Sequence, residues 1–458
     1  MPASSSASPY NKALVGWLSV AQLIGWGSVF YLFAQVMAPV EQALALSRPQ
    51  SSLAFSLCLL TDGLLAYPIG RLIDRGHERA VMTTGSLLVA AGLALHSQVQ
   101  SLWAFYAVWV LLGVGMSATL YVPVFAVVTR RFPLDFRRAI ITMTFLGGLA
   151  STVFIPLTAW LIATFGWRGA VLVLAGFNLL VCAPLHYFWL QNAPKAGFNP
   201  VQHAAPTIEV DDENATVPAA LVQPQVASNT HASPAKTTSA ASAPTPTAPP
   251  PEKPLAQHLQ SPPFLLIGLS ILCMAVATSA LPSHMITLLR EYGMGESWVI
   301  IVPASIGALQ VVGRLLLYFF EHRFDVHTAN RIIPCLMPLG LVFLLLAPLL
   351  AAPHSELMLF FLLLFVCSWG MGNGMLTIVK GTAMAQYVSH VHVASLNGAL
   401  GVPLALVRAA APLGLGLMWN AQTGYRNGIV VMIATAAAGA LALAVAQRLA
   451  LRETALIM

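Results

Sequence analysis

Long apolar runs separated by short polar turns dominate this chain, and their length is the first informative quantity. A helix needs about 20 apolar residues to cross the hydrocarbon core of a bilayer. Six runs of that order fall in the first half, over 14–40, 51–73, 80–97, 102–129, 139–164 and 169–190. Six more fall in the second half, over 263–289, 298–320, 331–351, 356–386, 396–419 and 427–447. Several are longer than a straight crossing needs, which predicts tilt or a kink at Pro39, Pro123, Pro156 or Pro403.

Between the two sets, 192–261 is dense in Pro, Ala, Thr and Ser around a small acidic knot, Asp211-Asp212-Glu213. It is too poor in apolar residues to bury a core and is expected to be a disordered cytoplasmic linker. The predicted organisation is a tail over 1–13, a six-helix bundle over 14–191, the linker, a second bundle over 262–447 and a tail over 448–458. The fold class is therefore an all-α integral membrane protein with twelve transmembrane helices in two bundles. Internal repetition supports the division. Phe165-Gly166-Trp167-Arg168 before the sixth run resembles Thr423-Gly424-Tyr425-Arg426 before the twelfth, and Gly70-Arg71 in the second run is echoed by Gly313-Arg314 in the eighth.

Composition agrees. Of the 458 residues 57% are hydrophobic and 8% charged, against about 25% charged in soluble domains. The net charge of +6 is then a question of sidedness, not of nucleic-acid binding. Placing both termini in the cytoplasm puts Lys12, Arg71, Arg75, Arg79, Arg130, Arg131, Arg137, Arg138, Arg323, Arg331, Arg448 and Arg452 on that side without counting the linker. Arg48, Arg168, Arg290 and Arg426 then face outward. The five cysteines all sit in apolar runs with no CxxC spacing and read as small buried hydrophobes. No glycine-rich phosphate loop, nucleophile elbow or metal-ligand cluster is present at usable spacing, so neither an enzyme nor a bound metal or cofactor is expected.

Three basic residues lie inside predicted crossings: Arg314, Lys380 and Arg408. Each costs about 2.5–3.5 kcal/mol at a helix centre. Asp62 is the one clear acid at comparable depth. Three cations against one carboxylate leave a positive excess, and a negatively charged cargo would cancel it. The structural alternatives are snorkelling of Lys380, or pairing of Arg314 with Asp325. Asp62 is a candidate proton carrier or a partner for one of the cations. Gln22, Tyr31 and Gln35 in the first run, Tyr121 in the fourth, His284 in the seventh, Gln310 in the eighth and Asn373 in the tenth are candidate cavity-lining polar groups, and groups of this kind also join helices to one another.

The charged turn Gly70-Arg71-Leu72-Ile73-Asp74-Arg75-Gly76-His77-Glu78-Arg79 resembles the loop between helices 2 and 3 of the major facilitator superfamily, though Gly76-His77-Glu78 departs from its usual x-Gly-Arg. Tyr121-Val122-Pro123, Arg137-Arg138-Ala139, Gly147-Gly148, Pro156-Leu157 and Gly166-Trp167-Arg168 are similar to features of its monocarboxylate porter and oxalate/formate antiporter branches. The resemblance implies a secondary transporter of the inner membrane, monomeric, moving a small organic anion by symport or antiport, with protons as a candidate coupling ion. It implies that Arg314 and Arg408 hold a carboxylate, with Lys380 as a third cation. It also implies that Gly70, Arg71, Asp74, Arg75 and Arg79 form a conformational latch, Gly70 allowing close helix packing. Gln310 stands where the family carries an acid, and the usual helix 1 lysine is absent. An efflux permease for a drug or metalloid, and a non-transporting sensor, are the alternative readings; the drug-antiporter pattern Gly-Pro-x-x-Gly-Gly does not occur in the fifth run.

Overall fold

Segments this apolar must close their main-chain hydrogen bonds internally, and they do so as helices. The computed structural model describes residues 10–132, 135–192, 255–320, 325–352, 355–389 and 393–457. Eleven helices are long and apolar enough to cross a membrane. One of them, Arg138–Trp189, spans 52 residues and is divided by Gly166, whose φ of 70° and ψ of 169° lie outside the helical region. Counting its halves separately gives the twelve crossings predicted. They are named α1 (Lys12–Leu44), α2 (Arg48–Asp74), α3 (Glu78–His96), α4 (Leu102–Arg131), α5 (138–165), α6 (167–189), α7 (Pro262–Glu291), α8 (Glu296–Leu317), α9 (His327–Leu350), α10 (Glu356–Tyr387), α11 (Gly401–Met418) and α12 (Arg426–Arg452).

The repeated turn behaves alike in both halves. Gly166 and Gly424 each adopt a positive φ, at 70° and 54°, a conformation that costs glycine nothing. Arg168 then donates to the carbonyls of Ser97 and Val99 at 3.0 and 3.2 Å, tying α6 to the turn between α3 and α4.

Pro39 and Pro156 sit inside continuous helix, while α4 is interrupted at Leu120, beside Pro123, and α11 is preceded by a break at Leu400, beside Pro403. Pro123 and Pro403 therefore occupy the first turn of restarting helices, where a missing N–H leaves no interior bond broken. The last helix runs on to Ile457 through the expected tail. Most of the expected linker lies outside the described residues, and its end carries a short helix, Leu255–Leu259. Cys58 and Cys182 are buried, but Cys335 and Cys367 are exposed on the protein surface.

The two sets of six meet along three helix pairs: α1 with α7, α2 with α11 and α5 with α8. In the α2–α11 seam, Ser52 abuts Gly416, Ser56 Oγ accepts from the Leu413 amide at 3.1 Å, and Gly63 packs on Ala405. Beyond that point the seam ends. Leu64, Tyr67, Val402 and Leu406 are exposed, and a Cβ added at Gly70, Gly398 or Gly401 would meet nothing within 4 Å. The α5–α8 seam is likewise held by Thr152 Oγ1 donating to Ala304 O at 2.7 Å, while Ile141 and Phe319 are exposed. The halves are thus closed together toward Arg48 and apart toward Asp74. In this conformation Gly70 packs against no neighbouring helix, contrary to the sequence expectation.

The interruption of α4 has a definite chemical cause. The Thr119 carbonyl would accept from the amide of residue 123, which is proline and has none. Gln22 on α1 fills the vacancy, its Nε2 donating to Thr119 O at 2.6 Å. Replacing Gln22 by Met is expected to cost about 1 kcal/mol by stranding that carbonyl. Thermal unfolding checks this. In Pro123→Ala, which restores the amide, the same Gln22→Met change should cost measurably less.

Candidate functional site

Three main-chain irregularities meet around one arginine. Residues Trp26–Phe30 of α1 form a π-helical turn, α4 breaks at Leu120, and α5 breaks at Leu149, just after Gly147-Gly148. Turns of this kind are rare and frequently occur at functional sites; in membrane transporters, discontinuous helices commonly build the central cavity. Here the first two touch directly, with the rings of Trp26 and Tyr121 5.0 Å apart. The third touches both sides: Gly147 lies against the Tyr121 hydroxyl, and a Cβ on Gly148 would stand 3.0 Å from Arg314 Nη1.

Arg314 reaches out of the second half of the chain into the first. Its Nη1 donates to the Thr144 carbonyl at 2.7 Å, in the turn preceding the α5 break. Tyr31 and Tyr121 are within electrostatic reach of the guanidinium, and its buried Nε has no hydrogen-bond partner. Among the described residues no carboxylate pairs with it. The alternative partner Asp325 instead caps its own helix, accepting from the Thr328 amide and hydroxyl at 3.0 Å.

Asp62 on α2 faces Arg408 on α11 at 3.8 Å. The separation exceeds a direct hydrogen bond, and both side chains retain some exposure, 17% and 31%. This pair sits beside Gly63 and Ala405, where the α2–α11 seam ends. Lys380 on α10 lies within electrostatic reach of Arg408, and among the described residues its ammonium has neither an ion pair nor a side-chain hydrogen bond. Of the three cations set against one carboxylate in the sequence, Arg408 is loosely matched by Asp62, and Arg314 and Lys380 have no carboxylate among the described residues.

The remaining candidates divide between lining and joining. Tyr31 and Tyr121 stay partly exposed beside Arg314. Gln310 is buried, its main chain against Gly374; Asn373 is partly exposed, and its carbonyl accepts from Thr377 at 3.0 Å. Gln22 joins α1 to α4, and Gln35 joins α1 to α5 through Ile155 O at 3.1 Å. In the charged turn, Arg71 lies 5.9 Å over Tyr67 and Arg79 lies 3.8 Å over Tyr187. Asp74 and Arg75 are exposed, and no ion pair links Arg71, Asp74 or Arg75 to the other half among the described residues. Glu78, a departure from the family pattern, is fully buried and binds Arg131 at 2.5 Å and Arg130 at 4.0 Å.

His284 belongs to a different cluster, one that sequence reasoning missed. Arg48, at the start of α2, pairs with Glu41 at 3.0 Å within its own half and with Glu291 at 3.2 Å in the other. It also donates to the Tyr425 hydroxyl and lies 4.7 Å over the ring of Trp419. Trp419 Nε1 donates to Glu291 at 2.9 Å. His284, fully buried, bonds Tyr425 at 2.9 Å and the Pro412 carbonyl at 3.0 Å. A carbonyl only accepts, so His284 carries its proton on Nε2 and accepts a hydrogen bond from the Tyr425 hydroxyl at Nδ1. The only signal in the sequence was the conjunction of charges at helix ends, which does not disclose a partner more than two hundred residues away.

The family profile described as Major Facilitator Superfamily matches residues 17–412. Monocarboxylate transporter 12 of Xenopus laevis is 35% identical over 129 residues, which are 27% of this chain and 27% of the relative. The uncharacterized MFS-type transporter YcxA of Bacillus subtilis (strain 168) is 24% identical over 192 residues, 41% of this chain and 47% of the relative. The matched stretch thus spans about a quarter to a half of these relatives' length. Among solved structures, a bacterial homolog of the human lysosomal transporter Spinster, in an inward-facing and occupied conformation, superposes with a TM-score of 0.65 at 15% identity, covering 98% of each chain. The xylose transporter XylE from E. coli, in a partially occluded inward-open conformation, gives 0.63 at 13% identity, covering 93% of this chain and 96% of that one.

Arg48→Gln removes both ion pairs at the closed end of the seam. It is expected to raise by about tenfold, equivalent to about 1.4 kcal/mol, the labelling rate of a cysteine placed at Ser56 by a membrane-impermeant thiol reagent added from the Arg48 side. The measurement uses a background without the five native cysteines.

Proposed function

The chain belongs to the major facilitator superfamily, and we propose that it is a secondary transporter for a small organic anion, a mono- or dicarboxylate, working by alternating access. The observation that carries this reading is the charge imbalance between the halves: Arg314 and Lys380 have no protein carboxylate among the described residues, and Arg408 shares Asp62 at 3.8 Å. Three cations less one carboxylate leave an excess of two positive charges. A carboxylate cargo cancels part of that excess, and guanidinium groups suit it because they stay ionised and bind its two oxygens together. The relatives named monocarboxylate transporters support the same class of cargo.

Asp62 supplies a coupling step. While ionised it holds Arg408. A proton on Asp62 releases that guanidinium to the cargo, so that proton and anion load together and their charges offset. The pair's place at the end of the α2–α11 seam gives it access from the open side. The basic bias assigns that side to the cytoplasm, with both termini there, in the inner membrane. Arg48, Glu291, Tyr425 and Trp419 then close the outer side. Gly70, Arg71, Asp74 and Arg75 form the latch of the opposite, outward-open state, which accounts for their lack of cross-half pairing in this one.

Counterflow of labelled mono- and dicarboxylates in proteoliposomes tests the reading. Arg314→Gln and Arg408→Gln are each expected to lower exchange at least tenfold, and export or uptake that survives both substitutions sinks the anion clamp. Asp62→Asn is expected to keep exchange while losing accumulation driven by a pH gradient.

A further inference from the structure

Two sets of aromatic rings in the first half, joined where Phe30 meets Phe55 at 5.4 Å, differ in burial. Phe33, Phe55, Phe105 and Trp109 are fully buried and pack ring on ring, Phe33 stacked on Phe55 at 4.6 Å and edge-on to Trp109 at 5.0 Å. They are core. The second group is an arc running from Phe125 to Tyr121 at 5.1 Å, to Trp26 at 5.0 Å, to Phe30 at 5.2 Å and to Tyr31 at 5.3 Å. Phe125, Tyr121, Trp26 and Tyr31 each keep part of their surface accessible.

Lipid does not account for that exposure at the tyrosines. Tyr31 and Tyr121 are both within electrostatic reach of Arg314, which belongs to the other half, so this stretch of the arc lies on the seam between halves. The π-turn of α1 and the break of α4 are what bring Trp26 against Tyr121. The indole Nε1 of Trp26 is buried with no acceptor, a donor that an oxygen on a bound molecule would satisfy.

Resting on the anion reading above, we propose that the cargo is an aromatic carboxylate, its ring seated against Trp26 and Tyr121 and its carboxylate on Arg314. Offset or edge-on packing of a π-face on these rings favours an aryl group over a saturated ring of the same size, while the guanidinium holds the charged end. Tyr121 and Trp26 become the residues that set specificity, and Arg314 the one that sets charge.

The test uses purified full-length protein and three probes: benzoate, cyclohexanecarboxylate and benzamide, with dissociation constants from calorimetry. Benzoate is expected to bind about tenfold tighter than cyclohexanecarboxylate. Tyr121→Leu and Trp26→Leu should each bring that ratio to within about twofold with cyclohexanecarboxylate still bound, and Tyr121→Phe should keep it. Equal affinity for the two acids in the unaltered protein overturns the proposal, as does a ratio that persists in both leucine variants. The anion reading fails separately: benzamide would match benzoate, and Arg314→Gln would leave benzoate binding intact. If neither acid binds, the aromatic proposal falls, and the anion reading is decided by the counterflow of the other carboxylates.

Discussion

In hydrocarbon a main-chain amide or carbonyl has no water to turn to, so each gap in a helix must be filled by a neighbour. That constraint organises this protein. Most of the chain meets it with unbroken helix. Where α4 is broken by the proline at 123, a glutamine amide from α1 completes the Thr119 carbonyl. Near the break in α5, Arg314 adds a donor to the Thr144 carbonyl, which lies within the helical stretch that ends at Gly148. A residue that could be read only as a buried charge is therefore also a hydrogen-bond donor that spans the two halves.

The same guanidinium shows how packing and charge converge. Its position is fixed on one side by Gly148, where a larger residue would crowd Nη1, and on the other by its helix, where Gly313 packs against the main chain of Met371. Small residues let the helices approach closely enough for a long polar side chain to cross the seam. Asp62 and Arg408, which sit on opposite halves, are held less tightly, 3.8 Å apart.

Much of this was legible in the sequence. Run length and composition were sufficient for twelve crossings, because the hydrocarbon thickness sets a sharp minimum. The repeat around Gly166 and Gly424 was visible because a positive φ demands the same residue twice. Two of the four prolines expected to mark irregularities, Pro123 and Pro403, lie just after breaks in the main chain. Pro39 and Pro156 are carried inside intact helix, while the breaks fall at Leu120, Leu149 and Leu400, two of them just before a proline and one just after paired glycines. The pairing of Asp62 with Arg408 was open beforehand as one of two choices. The cluster of Arg48, Glu291, Tyr425 and His284 was out of reach, because no local pattern says which distant helix ends will meet.

The π-turn in α1 has a consequence for register. A turn of that type takes one more residue than an α-helical turn, and each residue advances a helix by about 100°. The stretches before and after Trp26–Phe30 are consequently out of phase, so a face drawn along the whole of α1 as one regular wheel is misaligned by roughly a quarter turn or more. Gln22, before the turn, addresses α4; Gln35, after it, addresses α5. One continuous helix thereby serves two neighbours as though it were two, and an added or removed residue between them would rotate one set of partners away from the other.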